Sequence, residues 1–158
     1  MKYKGTLIAV KNMEKAKVFY QSLLGLDILL DAGANVALTS GVFLQTVETW
    51  SHFIHKPKPD IIFSNHAIEL YFETNDMDGF GEKLMAFPEI EYIHPLMEHS
   101  WGQRAVRFYD LDHHIIEVAE DISMVIRRYM SSGLTIEQTA KRMDVNTDYI
   151  QSVLAQAD

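Results

Sequence analysis

The sequence predicts an α+β fold made of two βαβββ modules followed by a C-terminal helical hairpin. Three observations lead there. The order strand, helix, strand, strand, strand occurs twice along the chain. The two copies overlay without gaps in their first strands, Gly5 to Met13 on Glu69 to Met77 at an offset of 64, and in their last strands, Phe43 to Glu48 on Ile115 to Glu120 at an offset of 72. After residue 120 the apolar spacing turns purely helical.

The first module opens on a short β-branched run, Gly5 to Val10. Asn12 is placed to cap a helix whose apolar face is Met13, Ala16, Tyr20, Leu23 and Leu24, and Gly25 stops it. Strand-like runs at Asp27 to Asp31, Asn35 to Ser40 and Val42 to Glu48 follow, separated by turns near Gly33 and Gly41. Trp50 to Ser64 holds Lys56-Pro57-Lys58-Pro59, and prolines at alternate positions favour a stiff, extended connector. The second module begins with Glu69 to Glu73, which alternates strictly between polar and apolar. Asp76 caps a helix carrying Met77, Phe80, Leu84 and Phe87, which Pro88 ends. Runs at Glu91 to His94, Ala105 to Tyr109 and Ile115 to Glu120 complete it. The domain plan is therefore 1–50, a first module; 51–65, a linker; 66–120, a second module; and 121–158, the helical hairpin.

The chain has 158 residues, a size that favours one domain or two small halves. Its net charge of −8 argues against nucleic acid as a partner, because phosphate binding needs a clustered positive face. No apolar run approaches the roughly 20 residues of a membrane span. The six weakly apolar residues after Met1-Lys2-Tyr3-Lys4 are too few for a secretory leader. Cysteine is absent, which excludes disulfides, thiolate nucleophiles and cysteine-based zinc or iron–sulfur sites and points to the cytoplasm.

Phe19-Tyr20 with Leu24-Gly25 at the end of the first helix, Trp101-Gly102-Gln103-Arg104, and Asp110-Leu111-Asp112-His113 before the last strand together resemble the vicinal-oxygen-chelate superfamily. That superfamily includes glyoxalase I, bleomycin-resistance proteins, fosfomycin-resistance enzymes and extradiol dioxygenases. The resemblance covers about residues 5 to 120. It implies paired modules whose curved sheets form a cleft with helices outside. The family pattern at the last turn is Asp-Pro-Asp-Gly; here Leu111 and His113 replace the proline and the glycine, which predicts an altered turn.

In metal-dependent members the ligands come from the first and last strand of each module. Carried over, those slots are Gly5, Gln45, Glu69 and Glu117. His66 falls three residues too early to fill the third slot. Gly5 has no side chain to offer, so three oxygen donors remain, Gln45, Glu69 and Glu117. Such a set suits Mg²⁺ or Mn²⁺ better than Zn²⁺. The same residues can equally line a wet pocket with no metal. Two carboxylates in one cavity would then raise one pKa and make Glu69 or Glu117 a catalytic acid or base, unless either simply pairs with Arg104 or Arg107.

Strand parity puts Leu70 and Phe72 toward the helix and Glu69, Tyr71 and Glu73 on the other face; Ile116 and Val118 likewise leave Glu117 facing inward. This predicts that Gln45, Glu69, Tyr71 and Glu117 converge on one cavity. The loop from His94 to Arg104 would set Trp101 and Arg104 at its rim, the indole stacking on a planar ligand and the guanidinium gripping an anion. His52 and His55, and the His113-His114 pair, lack a pattern that points to ligation.

In the tail, Thr135 and Gln138 fit a capping box. Leu134 to Met143 resembles the first half of a helix-turn-helix, but the would-be recognition helix, Asp148 to Leu154, has no Lys or Arg. Four basic against five acidic residues from Asp121 onward favour a docked helical element, burying Met124, Ile136, Ile150 and Leu154, over a DNA reader. The expected protein is a homodimer that binds a small organic molecule, with neither nucleic acid nor membrane as partner. It is either a glyoxalase-like lyase or isomerase assisted by a divalent metal ion, or a ligand- or drug-sequestering protein. A ligand-sensing DNA-binding regulator is the distant third reading.

Overall fold

The computed structural model describes residues 1–156. The fold is α+β, with two βαβββ modules and C-terminal helices. The chain forms two compact units, Met1–Ile68 with Asp110–His114, and Glu69–Tyr109 with Ile115–Asp158. Among the described residues, no helix is long and apolar enough to cross a membrane.

In the first unit, β1 (Thr6–Val10), β2 (Ile28–Asp31), β3 (Asn35–Leu38) and β4 (Val42–Thr46) form a sheet of order β1-β4-β3-β2, with β1 and β4 parallel. Helix α1 (Met13–Leu24) starts where the Asn12 side chain accepts the Lys15 N–H, 3.0 Å away. It turns Met13, Ala16, Phe19, Tyr20 and Leu23 inward, where Tyr20 and Leu23 join Val10, Val36, Leu38 and Leu44 in the core. Gly5 precedes β1 at φ 146°, and a Cβ there would lie 2.0 Å from the Gly41 carbonyl oxygen. The lack of a side chain that leaves Gly5 without a ligand atom is thus what lets two chain segments touch.

The connector is more structured than its prolines suggest. Helix α2 (Val47–Phe53) begins directly after β4, and a single 3₁₀ turn, Lys58–Asp60, follows with Pro59 in it. The run Val42 to Glu48 is therefore strand only as far as Thr46.

The second sheet, in the second unit, has the same plan. It contains β5 (Glu69–Thr74), β6 (Tyr92–Glu98), β7 (Arg104–Tyr109) and β8 (Ile115–Glu120) in the order β5-β8-β7-β6. Helix α3 (Met77–Met85), capped by Asp76 on the Gly79 N–H, lies on the face that carries Leu70, Phe108, Ile116 and Val118. There Phe80 meets Phe108 with ring centroids 6.4 Å apart. Strand β6 runs to Glu98, well beyond the expected end at His94. Pro95 sits within it because β6 is an edge strand, where a missing N–H leaves no ladder partner wanting, and the register shifts around His94.

Three helices end the described chain: α4 (Ile122–Ser131), α5 (Ile136–Met143) and α6 (Thr147–Gln156). The capping box forms as expected, Gln138 N–H to Thr135 Oγ1 at 3.2 Å and Thr135 N–H to Gln138 Oε1 at 2.9 Å. These helices share a core of Val125, Ile126, Ala140, Met143 and Ile150, with Ile136, Leu154 and Trp101 packed against it. Met124, expected inside, is 38% exposed. The helices hold the turn before β7. Arg128 donates to the Gly102 carbonyl at 2.6 Å, Arg142 donates to the Ser100 carbonyl, and Gly102 packs beneath Tyr129.

Candidate functional site

The polar centre of the second unit is Arg107, on the sheet face opposite α3. Tyr71, Glu117 and Arg107 stand side by side across β5, β8 and β7 in register. The alternation that buries Leu70, Phe108, Ile116 and Val118 sends these three side chains the other way. Arg107 Nε donates to Glu69 Oε2 at 3.1 Å, and its Nη2 pairs with Glu117 Oε2. Its Nη1 lies 3.1 Å from His94 Nε2 and 3.5 Å from His99 Nε2. A guanidinium only donates, so both rings receive it at Nε2. For His94 this leaves Nδ1–H to donate to the Pro95 carbonyl at 2.9 Å. Burial, the Arg107 charge and His94 together hold the His99 pKa below the usual histidine value. Glu117 is 4% exposed; Glu69 is the more open carboxylate.

Beside this centre runs a second polar chain. Trp101 Nε1–H donates to Gln103 Oε1 at 3.0 Å. The Gln103 amide then donates to the Glu120 carbonyl at 2.7 Å and to the Tyr71 hydroxyl at 3.2 Å. Tyr71 donates in turn to Glu73 Oε1 at 2.6 Å. Burial first, and the bond to Glu73 second, push the Tyr71 hydroxyl above the usual tyrosine range, so it stays a donor. The Trp101 indole stacks on His99 with 4.4 Å between centroids and 4° between planes, which couples the two groups.

Arg104 does not sit with them. One residue out of phase with Ala105 and Arg107, it points to the α3 face, pairing with Asp78 at 2.7 Å and with Glu120 at 3.3 Å. The expected rim position fails because Arg104 already belongs to β7, where parity and not loop freedom sets its direction. Gln103, which sequence reasoning did not put in the site, faces Tyr71, and Arg107, raised there only as an ion-pair partner of Glu69 or Glu117, pairs with both.

Gln45 belongs to the first unit, at the end of β4 and 2% exposed. Its carbonyl accepts from Asn35 Nδ2 at 2.8 Å and its amide donates to the Thr49 hydroxyl, tying β3, β4 and the first turn of α2 together.

The superfamily resemblance implies a divalent ion on these residues, and the donor set does not fit one. Arg107 already neutralises both Glu69 and Glu117, so a dication would have to displace a guanidinium or face it, and the Gln45 oxygen is committed to Asn35. Among the described residues, no three His, Asp or Glu side chains gather as a metal site needs. Glu69 and Glu117 do not stand as two unpaired carboxylates in one cavity; both take Arg107 as their partner, the ion-pair alternative.

A third cluster lies in the first unit. Asp110 accepts from the Tyr20 hydroxyl at 2.7 Å, from His114 Nδ1 at 2.9 Å, and from the backbone N–H groups of Asp112 and His114. Burial raises the Asp110 pKa, but these donors, His114 foremost, outweigh it and hold the carboxyl below the usual range. His113, standing in place of the family's glycine, has φ 65°. The turn keeps a left-handed residue there although the side chain differs.

The sequence pattern of the glyoxalase-like domain matches residues 3–123. The chain belongs to the glyoxalase-like family. The glyoxalase-like body is also similar to solved structures. A protein of unknown function from Agrobacterium tumefaciens strain C58 is 34% identical, with a TM-score of 0.70 over 76% of this chain and 94% of that one. A glyoxalase/bleomycin resistance protein/dioxygenase family enzyme from Burkholderia phytofirmans PsJN has a TM-score of 0.66 at 12% identity, covering 76% of this chain and 98% of that one. A lactoylglutathione lyase from Agrobacterium tumefaciens has a TM-score of 0.59 at 21% identity, covering 75% and 92%. No curated protein matches. The vicinal-oxygen-chelate resemblance thus holds for the glyoxalase-like body, and the last 35 residues lie beyond the family match.

Proposed function

We propose that this glyoxalase-like protein binds a small organic molecule on the Arg107 face of its second sheet and does so without a resident metal ion. The reading rests on Arg107, which holds the two glutamates that the metal-dependent relatives would use as ligands. What this face offers instead is a fixed hydrogen-bonding surface. The half-open Glu69 carboxylate accepts, and the His99–Trp101 stack gives a flat apolar edge. Such a surface fits the ligand-sequestering alternative better than the lyase or isomerase alternative, because neither glutamate is free to coordinate and both have Arg107 as counter-charge.

The deciding experiment joins three measurements on untagged protein. Dialysis against Mg²⁺, Mn²⁺ and Zn²⁺ should leave no stoichiometric metal, and a lactoylglutathione lyase assay should show no turnover with or without those ions. A thermal-shift screen of small organic compounds should give hits that are lost in Glu69→Gln. Stoichiometric metal that disappears in Glu69→Gln or Glu117→Gln, or metal-dependent turnover, overturns the reading.

A further inference from the structure

The C-terminal helices build a pocket of their own against the second sheet. It encloses about 260 Å³, lined on the sheet side by Tyr71, Glu73, Trp101 and Gln103. On the helical side the walls are Met143 and Val145 around the α5–α6 turn, Tyr149 of α6, and Ile122 at the start of α4. The family match ends at residue 123, so Met143, Val145 and Tyr149 belong to the part of the chain outside it. All of these residues fall within one unit.

Three features define what the pocket can hold. Three of its walls are aromatic, Tyr71, Trp101 and Tyr149, whose faces carry partial negative charge. Its one formally charged lining residue is Glu73, and no Lys, Arg or His lines it. The hydrogen-bond chain from Trp101 through Gln103 and Tyr71 ends on Glu73, which fixes the carboxylate and makes each polar member a donor toward it. Two of the basic side chains of the neighbouring helices are engaged elsewhere, Arg128 on Glu120 and Gly102, and Arg142 on Ser100 and the Tyr129 ring. An anionic ligand would meet a carboxylate with no counter-charge, and a neutral apolar one would leave it unanswered. A positive group on a small apolar body satisfies both the carboxylate and the ring faces.

We infer that this pocket is a binding site for a small organic cation, an alkylammonium or quaternary ammonium compound. Aromatic faces and Glu73 take the charge, and Met143 and Val145 take the apolar body. The pocket shares Trp101 with the Arg107 face, whose flat edge is the His99–Trp101 stack, and differs from it in taking the charge on Glu73 and the body on Met143 and Val145.

The test uses the full chain, labelled with ¹⁵N, and follows the two indole N–H signals. Choline is the probe, and 3,3-dimethylbutan-1-ol, which has the same shape without the charge, is the control. Choline should shift the Trp101 signal saturably and leave Trp50 unmoved. The alcohol should bind about three- to tenfold more weakly, the scale of a cation–π contact at a half-open site. Glu73→Gln, at an exposed position, should weaken choline about three- to fivefold and leave the alcohol unchanged, while Tyr149→Ala should weaken choline in a spectrum that stays folded. Equal binding of the two compounds overturns the inference. So does full choline affinity in either variant, or a Trp101 signal that choline does not move.

Discussion

Arg107 and Glu117 face each other as an in-register pair on β7 and β8, and their side chains close the same contact that their backbones set up. Glu117 is almost wholly out of solvent, so its charge depends on this partner. Removing only the guanidinium should be costly, because it strands a buried carboxylate. Arg107→Met should lose about 3–5 kcal/mol in urea unfolding. Adding Glu117→Gln should recover most of that loss, since the stranded charge goes with it. If the two substitutions simply add, Glu117 does not depend on Arg107.

The Tyr20–Asp110–His114 cluster should shape the acid limb of the stability curve. The folded Asp110 pKa is lower than its unfolded value, so the native state favours the charged carboxyl. Its contribution is fully present above the unfolded value, near pH 4, and is lost as pH falls through the lower folded value. Asp110→Asn should therefore flatten the drop in stability between about pH 5 and pH 2, measured against the parent protein. Tyr20→Phe removes one charged-acceptor hydrogen bond from a buried site and should cost about 1–3 kcal/mol at neutral pH.

Gly5 offers a test of a position that resemblance assigns to metal binding and packing assigns to a close approach. A Cβ at this site meets the Gly41 carbonyl and the Phe43 ring, and φ is already in the range that side chains avoid. Gly5→Ala should destabilise by about 1–3 kcal/mol or more. A neutral outcome would mean that β1 can shift away from Gly41.

The fold was readable wherever one periodicity ran unbroken. The alternation from Glu69 to Glu73 and the apolar steps from Met13 to Leu24 each have a single way to bury their large side chains, and the structure adopts it. Reading failed where a residue rule was applied without its tertiary setting. The run Glu91 to His94 gives way in the sequence to a loop beginning at His94, yet β6 continues to Glu98, and Pro95 is harmless on an edge strand. The prolines after Lys56 obscured a helix that starts nine residues earlier, at Val47. The candidate site follows the same division. Parity put Glu69, Tyr71 and Glu117 on one face, but Arg104 was treated as a loop residue and so escaped parity. Gln103 acts through Trp101, Tyr71 and the Glu120 carbonyl, partners from three different segments, and no local pattern announces such a meeting.

The grip of the tail on the 99–103 turn can be broken at one atom. Gly102 sits at φ 90°, and a Cβ there would fall 1.7 Å from the Tyr129 hydroxyl oxygen. The Tyr129 ring would have to swing aside, and the turn has little room to shift with it, because Arg128 ties the Gly102 carbonyl to Glu120 through a 2.6 Å bond on each side. Gly102→Ala should therefore push the three helices off the second sheet and lower the melting temperature. Gly102→Ala with Tyr129→Ala should recover part of it, the unfavourable φ alone remaining. Ile150→Ala supplies the contrast. Its side chain is fully buried in the helical core, so the change should cost about 2–5 kcal/mol by leaving a cavity. The turn itself would stay in place. Hydrogen exchange separates the two outcomes. Gly102→Ala should speed exchange both in the helices and at the Ser100 to Gln103 amides, whereas Ile150→Ala should act mainly on α4 to α6. If Gly102→Ala leaves the exchange of α4 unchanged, the helices are held by their own core and owe nothing to the turn.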